Sequence, residues 1–255
     1  NEIKRFLSKF NNKFSHNDFE KTLNQFKDAF NFGSLIKPYF ENGDNFRQEV
    51  LSKDFSKDIL LQFTKEVVLR VLDYSDYLGK KYHILVTNPP YLGTNKVNKL
   101  LSDFAKTIYP DSKADLYSMF MERSLSMTRK NGMIAMINMQ SWMFIKSYEK
   151  LREKVLKSTT ILNMAHLGPN GFDSFGGEVV STTAFVLQNI YNHKYIGDYI
   201  RLVAGKSEKE KSSMMKKAIL NKDCDFFYRI SSDQFNVING SPINYWMPKS
   251  FRNVF

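Results

Sequence analysis

The residues that most constrain chemistry in this sequence are Asn88-Pro89-Pro90-Tyr91, which directly follow the apolar run His83-Ile84-Leu85-Val86 and Thr87. An amide oxygen, a backbone carbonyl on a residue of fixed φ and an aromatic ring stand within four positions. That set suits the activation of an exocyclic ring amine. Such an amine is a poor nucleophile, because its lone pair is delocalised into the ring, and it must pyramidalise to accept an alkyl group. Two acceptors placed tetrahedrally around it favour that geometry. The Asn88 side-chain oxygen can be one and the Pro89 carbonyl the other, with proline holding the loop in one shape. Tyr91 can stack on the face of the base. Catalysis is then orientation of the amine toward an electrophilic methyl, with acceptors where positive charge develops. A rigid Pro-Pro turn alone would need neither the Asn before it nor the aromatic after it.

A loop of this kind must be held by a sheet, because open α/β sheets bind ligands at the carboxyl ends of their strands. Residues 83–86 read as a buried parallel strand. Downstream, 115–129 reads as a helix with Leu116, Met119 and Phe120 on one side, ended by Asn131-Gly132. Strands follow at 133–139, 161–167 and 179–187, with a helix around Tyr148, Leu151 and Val155 and a Gly-rich loop over 168–177. The alternation predicts an α/β domain with a mainly parallel, partial Rossmann-like sheet. Its last two strands lack a connecting helix and should pair antiparallel. The first eighty residues read as helical. Phe19, Leu23, Phe26 and Phe30 mark one apolar face, and Phe55, Ile59, Phe63 and Val67 mark another. Residues 206–217 are a helix candidate, and 223–255 read as irregular.

Composition narrows the function classes. The net charge is +11, so the summed field should attract polyanions, and double-stranded DNA is the expected partner. No apolar stretch is long enough to cross a bilayer, and the N terminus lacks the core of a signal peptide. The single cysteine, Cys224, allows no internal disulfide. The histidines at 16, 83, 166 and 193 have no metal-ligand spacing, so no metal is expected. A cytoplasmic setting is the default. Lys96 and Lys99, just past the loop, are candidate phosphate contacts. Asp73 and Asp76 read as a solvated helix end, and Trp142 reads as core.

The tetrapeptide resembles motif IV of amino-methyltransferases that use S-adenosylmethionine, and the resemblance runs from about His83 to Leu187. Lys113-Ala114-Asp115-Leu116-Tyr117-Ser118-Met119-Phe120 resembles the helix that, in that family, walls the cofactor's adenine pocket. This implies cofactor contacts at Leu116 and Phe120. His166-Leu167-Gly168-Pro169-Asn170-Gly171-Phe172 resembles the loop whose aromatic packs on an extruded adenine, with Phe172 the first choice and Phe175 the second. Thr87-Asn88-Pro89-Pro90-Tyr91, Tyr109-Pro110-Asp111-Ser112-Lys113, Met139-Gln140-Ser141-Trp142-Met143, Gly176-Gly177-Glu178-Val179-Val180 and Ser241-Pro242-Ile243-Asn244-Tyr245-Trp246 together resemble one subgroup. This subgroup is the large adenine-specific methyltransferases of BREX phage-defence systems, the PglX family.

The resemblance implies a DNA adenine-N6 methyltransferase, in a restriction-modification or BREX setting, with other defence proteins as further candidate partners. One departure matters. The family's Gly-rich cofactor loop lies upstream of motif IV, whereas Gly33, Gly43 and Gly79 form no G-x-G pattern. The sequence also begins at Asn1 without a Met. The expectation is therefore a piece of a larger enzyme, inactive alone. Residues 1–80 would be a helical insertion, 81–203 the C-terminal half of the catalytic domain, and 204–255 an extension toward a target-recognition region. Two other readings stay open: methylation of a protein glutamine amide, and a non-catalytic DNA-binding fragment.

Overall fold

The computed structural model describes residues 2–10, 16–40, 43–172 and 180–248. The chain divides into two compact units, Asn1–Lys81 and Tyr82–Phe255. The first is helical: α1 (Glu2–Leu7), α2 (His16–Lys27), α3 (Ala29–Phe32), α4 (Asp44–Ser52) and α5 (Ile59–Gly79). Its core is largely aromatic, with Phe6, Phe10, Phe19, Phe46 and Phe55 gathered around Val50 and Leu72. Tilted and edge-on ring pairs, such as Phe19–Phe46 at 4.8 Å, set the packing. Arg47 forks between Asp73 and Asp76 on α5, so these acids are ion-paired rather than simply solvated.

Two apolar faces differ from the sequence expectation. Asp58 caps α5 by accepting from the Leu61 N–H at 3.1 Å, so Phe55 precedes the helix and does not set its phase. The buried stripe is Leu61, Thr64, Val68, Val71, Leu72 and Ser75, while Ile59 and Phe63 face outward. Similarly, α2 ends at Lys27, so Phe30 leaves the face of Phe19 and Leu23 and is fully exposed.

The second unit runs β1 (Tyr82–Thr87), α6 (Lys99–Ile108), α7 (Leu116–Met127), β2 (Thr128–Met139), α8 (Glu149–Ser158), β3 (Thr160–Gly168), β4 (Thr182–Gln188), β5 (Ile196–Arg201), α9 (Glu208–Leu220) and β6 (Phe227–Ser231). These strands form a six-stranded sheet in the order β1-β2-β4-β3-β5-β6. β1, β2, β3 and β5 point one way, and β4 and β6 the other. The α/β sheet and the antiparallel β3–β4 pair are as the sequence predicts. The expected helix end at Asn131-Gly132 instead lies inside β2, where β1 and β2 shift register. An added Cβ on Gly132 would stand 2.8 Å from the His83 carbonyl, so this close approach needs glycine.

One sheet face carries α7 and α8. Tyr117, Met121, Leu151 and Val155 pack there on Ile134, Met136, Ile161 and Phe185. On the other face, α9 covers Ile200 and Leu202 near β5. β5 and β6 have no clear sequence signal, and the segment after Arg201 is not peripheral. Ile230, Phe235, Ile243 and Tyr245 belong to the main core. No helix among the described residues is long and apolar enough to cross a membrane.

Polar bonds tie the C-terminal segment down. The buried Arg152 guanidinium donates to the carbonyls of Trp142, Ile145 and Gly240 at 2.7–3.0 Å. His166, also buried, has Nε2 2.5 Å from Gln140 Oε1 and Nδ1 3.0 Å from the Tyr245 hydroxyl. The amide oxygen can only accept, so Nε2 carries the proton and Nδ1 accepts from Tyr245. Burial, with the charges of Arg201 and Lys211, lowers the His166 pKa to about 4 and keeps the ring neutral. The unfolded ring titrates near 6.5. Stability from this group is therefore complete above that pH and falls as the pH drops toward 4. Thermal melts should show a fall over this window. The His166→Gln variant, although less stable throughout, should show a shallower one. An equal pH slope in both proteins would contradict the assignment.

Candidate active site

Asn88 follows the carboxyl end of β1, at an exposed position, with Pro89 buried behind it and Pro90 exposed. The Tyr91 hydroxyl lies 3.0 Å from Asn88 Oδ1 and 3.2 Å from the Ile137 carbonyl of β2. Its ring meets Tyr117 edge-on at 6.2 Å and packs against the main core. Burial pushes the Tyr91 pKa up to about 12, so at neutral pH the hydroxyl is protonated and donates. It therefore points one lone pair of the Asn88 oxygen inward. A carbonyl oxygen has a second, so the amide can still accept from a ligand.

The loop's shape is imposed by α7, through a residue the sequence reading gave no role. Asp115 caps α7, its Oδ1 accepting from the Tyr117 N–H at 3.1 Å and from the Leu92 N–H at 3.0 Å. The Leu116 N–H bonds the Leu92 carbonyl and the Thr94 N–H bonds the Ala114 carbonyl, forming a short ladder beside the loop. Burial pushes the Asp115 carboxyl up, opposed by its backbone N–H bonds and the charge of Lys96. The sequence signal was present: an Asp immediately before a helical apolar run is a cap. Its second bond, to a residue 23 positions earlier, has no local signature. Tyr117 extends the support, its hydroxyl 2.7 Å from Ser141 Oγ just past β2.

The other expected residues divide. Leu116 and Phe120 stand one turn apart on α7, both partly exposed, and offer an apolar wall. Phe172 is 37% exposed and follows the carboxyl end of β3, at the same sheet edge as Asn88. Three strand spacings separate β3 from β1, about 14 Å, so the loop must reach inward if its ring is to meet a base held by Asn88. Phe175 and the Gly176-Gly177-Glu178-Val179 part of its motif lie outside the described residues. Lys99 is paired with Asp103 at 2.5 Å, and its charge is partly answered within α6. Lys96 is exposed and forms no ion pair among the described residues.

The sheet face not covered by α7 and α8 holds an apolar trough of about 830 Å³, lined by Val86, Asn88, Ala135, Ile137, Val186 and Ile219, among others. Ile84 and Val86 of β1 are 66% and 74% exposed, and the outer edge of β1 has no partner strand among the described residues.

Comparison with known proteins agrees with this architecture. Over 235 residues the chain is 38% identical to the adenine-specific methyltransferase PglX of Lacticaseibacillus casei, and over 238 residues 36% identical to the adenine-specific methyltransferase BrxX of Escherichia coli O9:H4. These alignments take in 89% and 92% of this chain but 19% of each relative, so the chain spans about a fifth of their length. A chain from a solved type I restriction-modification system matches 86% of this one, and 55% of itself, with a TM-score of 0.50 at 11% identity, a likeness of fold alone. Residues 2–175, which contain the Asn88 loop, the α7 support and the sheet through β3, match the Eco57I restriction-modification methylase, and the chain belongs to that family.

Proposed function

We propose that this chain forms the C-terminal half of the catalytic domain of a DNA adenine-N6 methyltransferase. It would serve a BREX phage-defence or restriction-modification system, with double-stranded DNA as substrate. The observation that carries the reading is the Asn88-Pro89-Pro90-Tyr91 loop, exposed at the carboxyl end of β1 and held there by Asp115. Its chemistry fits the exocyclic amine of adenine. The Asn88 oxygen and the Pro89 carbonyl accept the two amine hydrogens and favour a pyramidal nitrogen whose lone pair points away from both. As the new N–C bond forms, positive charge develops on that nitrogen beside the two acceptors. The methylated amine then releases a proton to solvent.

S-adenosylmethionine fits the residues present in part, since Leu116 and Phe120 supply an apolar wall of the kind an adenine ring needs. When bound, it would supply an electrophilic methyl on a sulfonium, whose carbon–sulfur bond breaks on transfer with the electron pair left on sulfur as a neutral thioether. The exposed β1 edge and the apolar trough support a sheet that continues in the rest of the enzyme, with residues 1–80 as a helical insertion and 204–255 leading toward target recognition. The net charge of +11 supports DNA as the partner. Phe172, Phe175 and Tyr91 are the candidate stacking rings for an extruded base, and Lys96 the better placed of the two lysines for a phosphate.

In the full-length enzyme, Asn88→Ala removes one acceptor at the reacting nitrogen. It should raise the barrier by about 2–4 kcal/mol with the fold intact. Tritiated methyl incorporation into DNA near the wild-type rate would exclude the role. For Tyr91, Phe keeps the ring and loses the hydroxyl, whereas Ala loses both. If stacking is its task, Tyr91→Phe should stay within a few-fold of wild type, and Tyr91→Ala should lose roughly 5- to 150-fold, as expected for about 1–3 kcal/mol of base stacking. Equal losses in the two variants would assign the function to the hydroxyl instead. The chain by itself should bind S-adenosylmethionine weakly or not at all in calorimetry, and tight stoichiometric binding would mean that the pocket is complete within it.

A further inference from the structure

Arg201 is the last residue of β5 and pairs in register with His166 of β3, at the sheet edge that carries the Asn88 loop. Its guanidinium lies over the Trp246 ring at 5.1 Å. Trp246 is itself held by Phe144, Tyr245 and His166, with ring centroids 5.0–5.9 Å away. The cation is thus clamped on a platform that is anchored to the core.

Two buried cations of this unit rest on backbone carbonyls. Arg152 makes four hydrogen bonds to three backbone carbonyls. Lys211 donates to the carbonyls of Leu167 and Leu202 at 2.7 and 2.9 Å. Arg201 differs. It has no carboxylate partner among the described residues, and its Nε is buried without a hydrogen-bond partner. The acid nearest in sequence on its own strand, Asp198, is already shared by Lys222 and Arg229. That Nε faces the interior, but Arg201 is only partly buried and its two terminal nitrogens form no hydrogen bond among the described residues, so they are the donors that the clamped guanidinium presents outward. A planar, oriented fork of this kind matches a phosphate oxygen pair.

We propose that Arg201, mounted on Trp246, is a DNA backbone contact that positions the duplex against the active-site edge. The proposal rests on the methyltransferase reading above. β5 lies four strand spacings from β1, about 19 Å. At about 3.4 Å per base step, the phosphate involved lies within roughly six base pairs of the target adenine. Arg201 therefore aligns the DNA and does not touch the reacting atoms.

The test uses the full-length enzyme and a 30-base-pair duplex, with binding followed by fluorescence anisotropy from 50 to 300 mM NaCl. Methyl transfer by the wild type is measured alongside. One phosphate contact contributes about 0.9 to the slope of log Kd against log salt. Arg201→Gln should lower the slope by that amount. Arg201→Lys keeps the charge and should keep the slope, while binding several-fold more weakly because the fork is lost. Trp246→Ala frees the guanidinium without removing its charge, and should weaken binding with the slope nearly retained. An unchanged slope in Arg201→Gln, with wild-type methylation intact, would overturn the phosphate contact and leave Arg201 as support for Trp246. A wild type that binds DNA but transfers no methyl group to it would instead overturn the functional reading.

Discussion

The reversed strand β4 is the constraint on which the reactive edge depends. Along its own full length it hydrogen-bonds β2 on one side and β3 on the other. Thr182, at its start, sits opposite both Met139 and Gly168, so the carboxyl ends of β2 and β3 are brought level. β1 then pairs parallel to β2, and β5 parallel to β3. Asn88, Gln140, the loop after Gly168 and Arg201 consequently open along one edge. A slip of one residue in β4 would turn its apolar set to the wrong face, so the core itself enforces this alignment.

Placing the loop at that edge is not the same as holding it still. A Pro-Pro turn restricts its own backbone, but its orientation relative to the sheet is set by Asp115. One carboxylate oxygen caps α7 and also accepts from Leu92 beyond the loop. The helix that offers Leu116 and Phe120 is thereby coupled to the loop that offers Asn88. The Tyr91 hydroxyl adds a second restraint, bonding Asn88 from the core side. The amide is then oriented before a ligand arrives, the condition under which an acceptor lowers a barrier most.

Three titratable side chains buried behind this edge are each held by local bonds. Arg152 and Lys211 rest on carbonyls, and His166 is held uncharged between Gln140 and Tyr245. The same bonds bring the segment around Gly240 and Tyr245 back onto the sheet, which makes the C-terminal residues part of the core. Against this background Arg201 differs, being partly exposed at this edge with no carboxylate partner among the described residues.

Much of this was determined by the sequence alone. Asn88-Pro89-Pro90-Tyr91 after an apolar run specifies both a chemistry and a position at a strand end. The buried strands 133–139 and 161–167 are legible because their apolar residues are contiguous, and the family resemblance lies in such local motifs. Other features required the tertiary structure. β5 and β6 are short, and β5, with Gly197 beside Asp198, shows no clean two-residue alternation, so little that is local separates them from loop. The exposed outward faces of Phe30, Ile59 and Phe63 follow from where α2 stops and where Asp58 starts α5, and a one-position error in a cap rotates a whole helical face. The second bond of Asp115 and the seating of Arg201 on Trp246 join residues 23 and 45 positions apart. Sequence periodicity reports which side of an element is buried, but only the register of the assembled sheet decides which distant side chains meet.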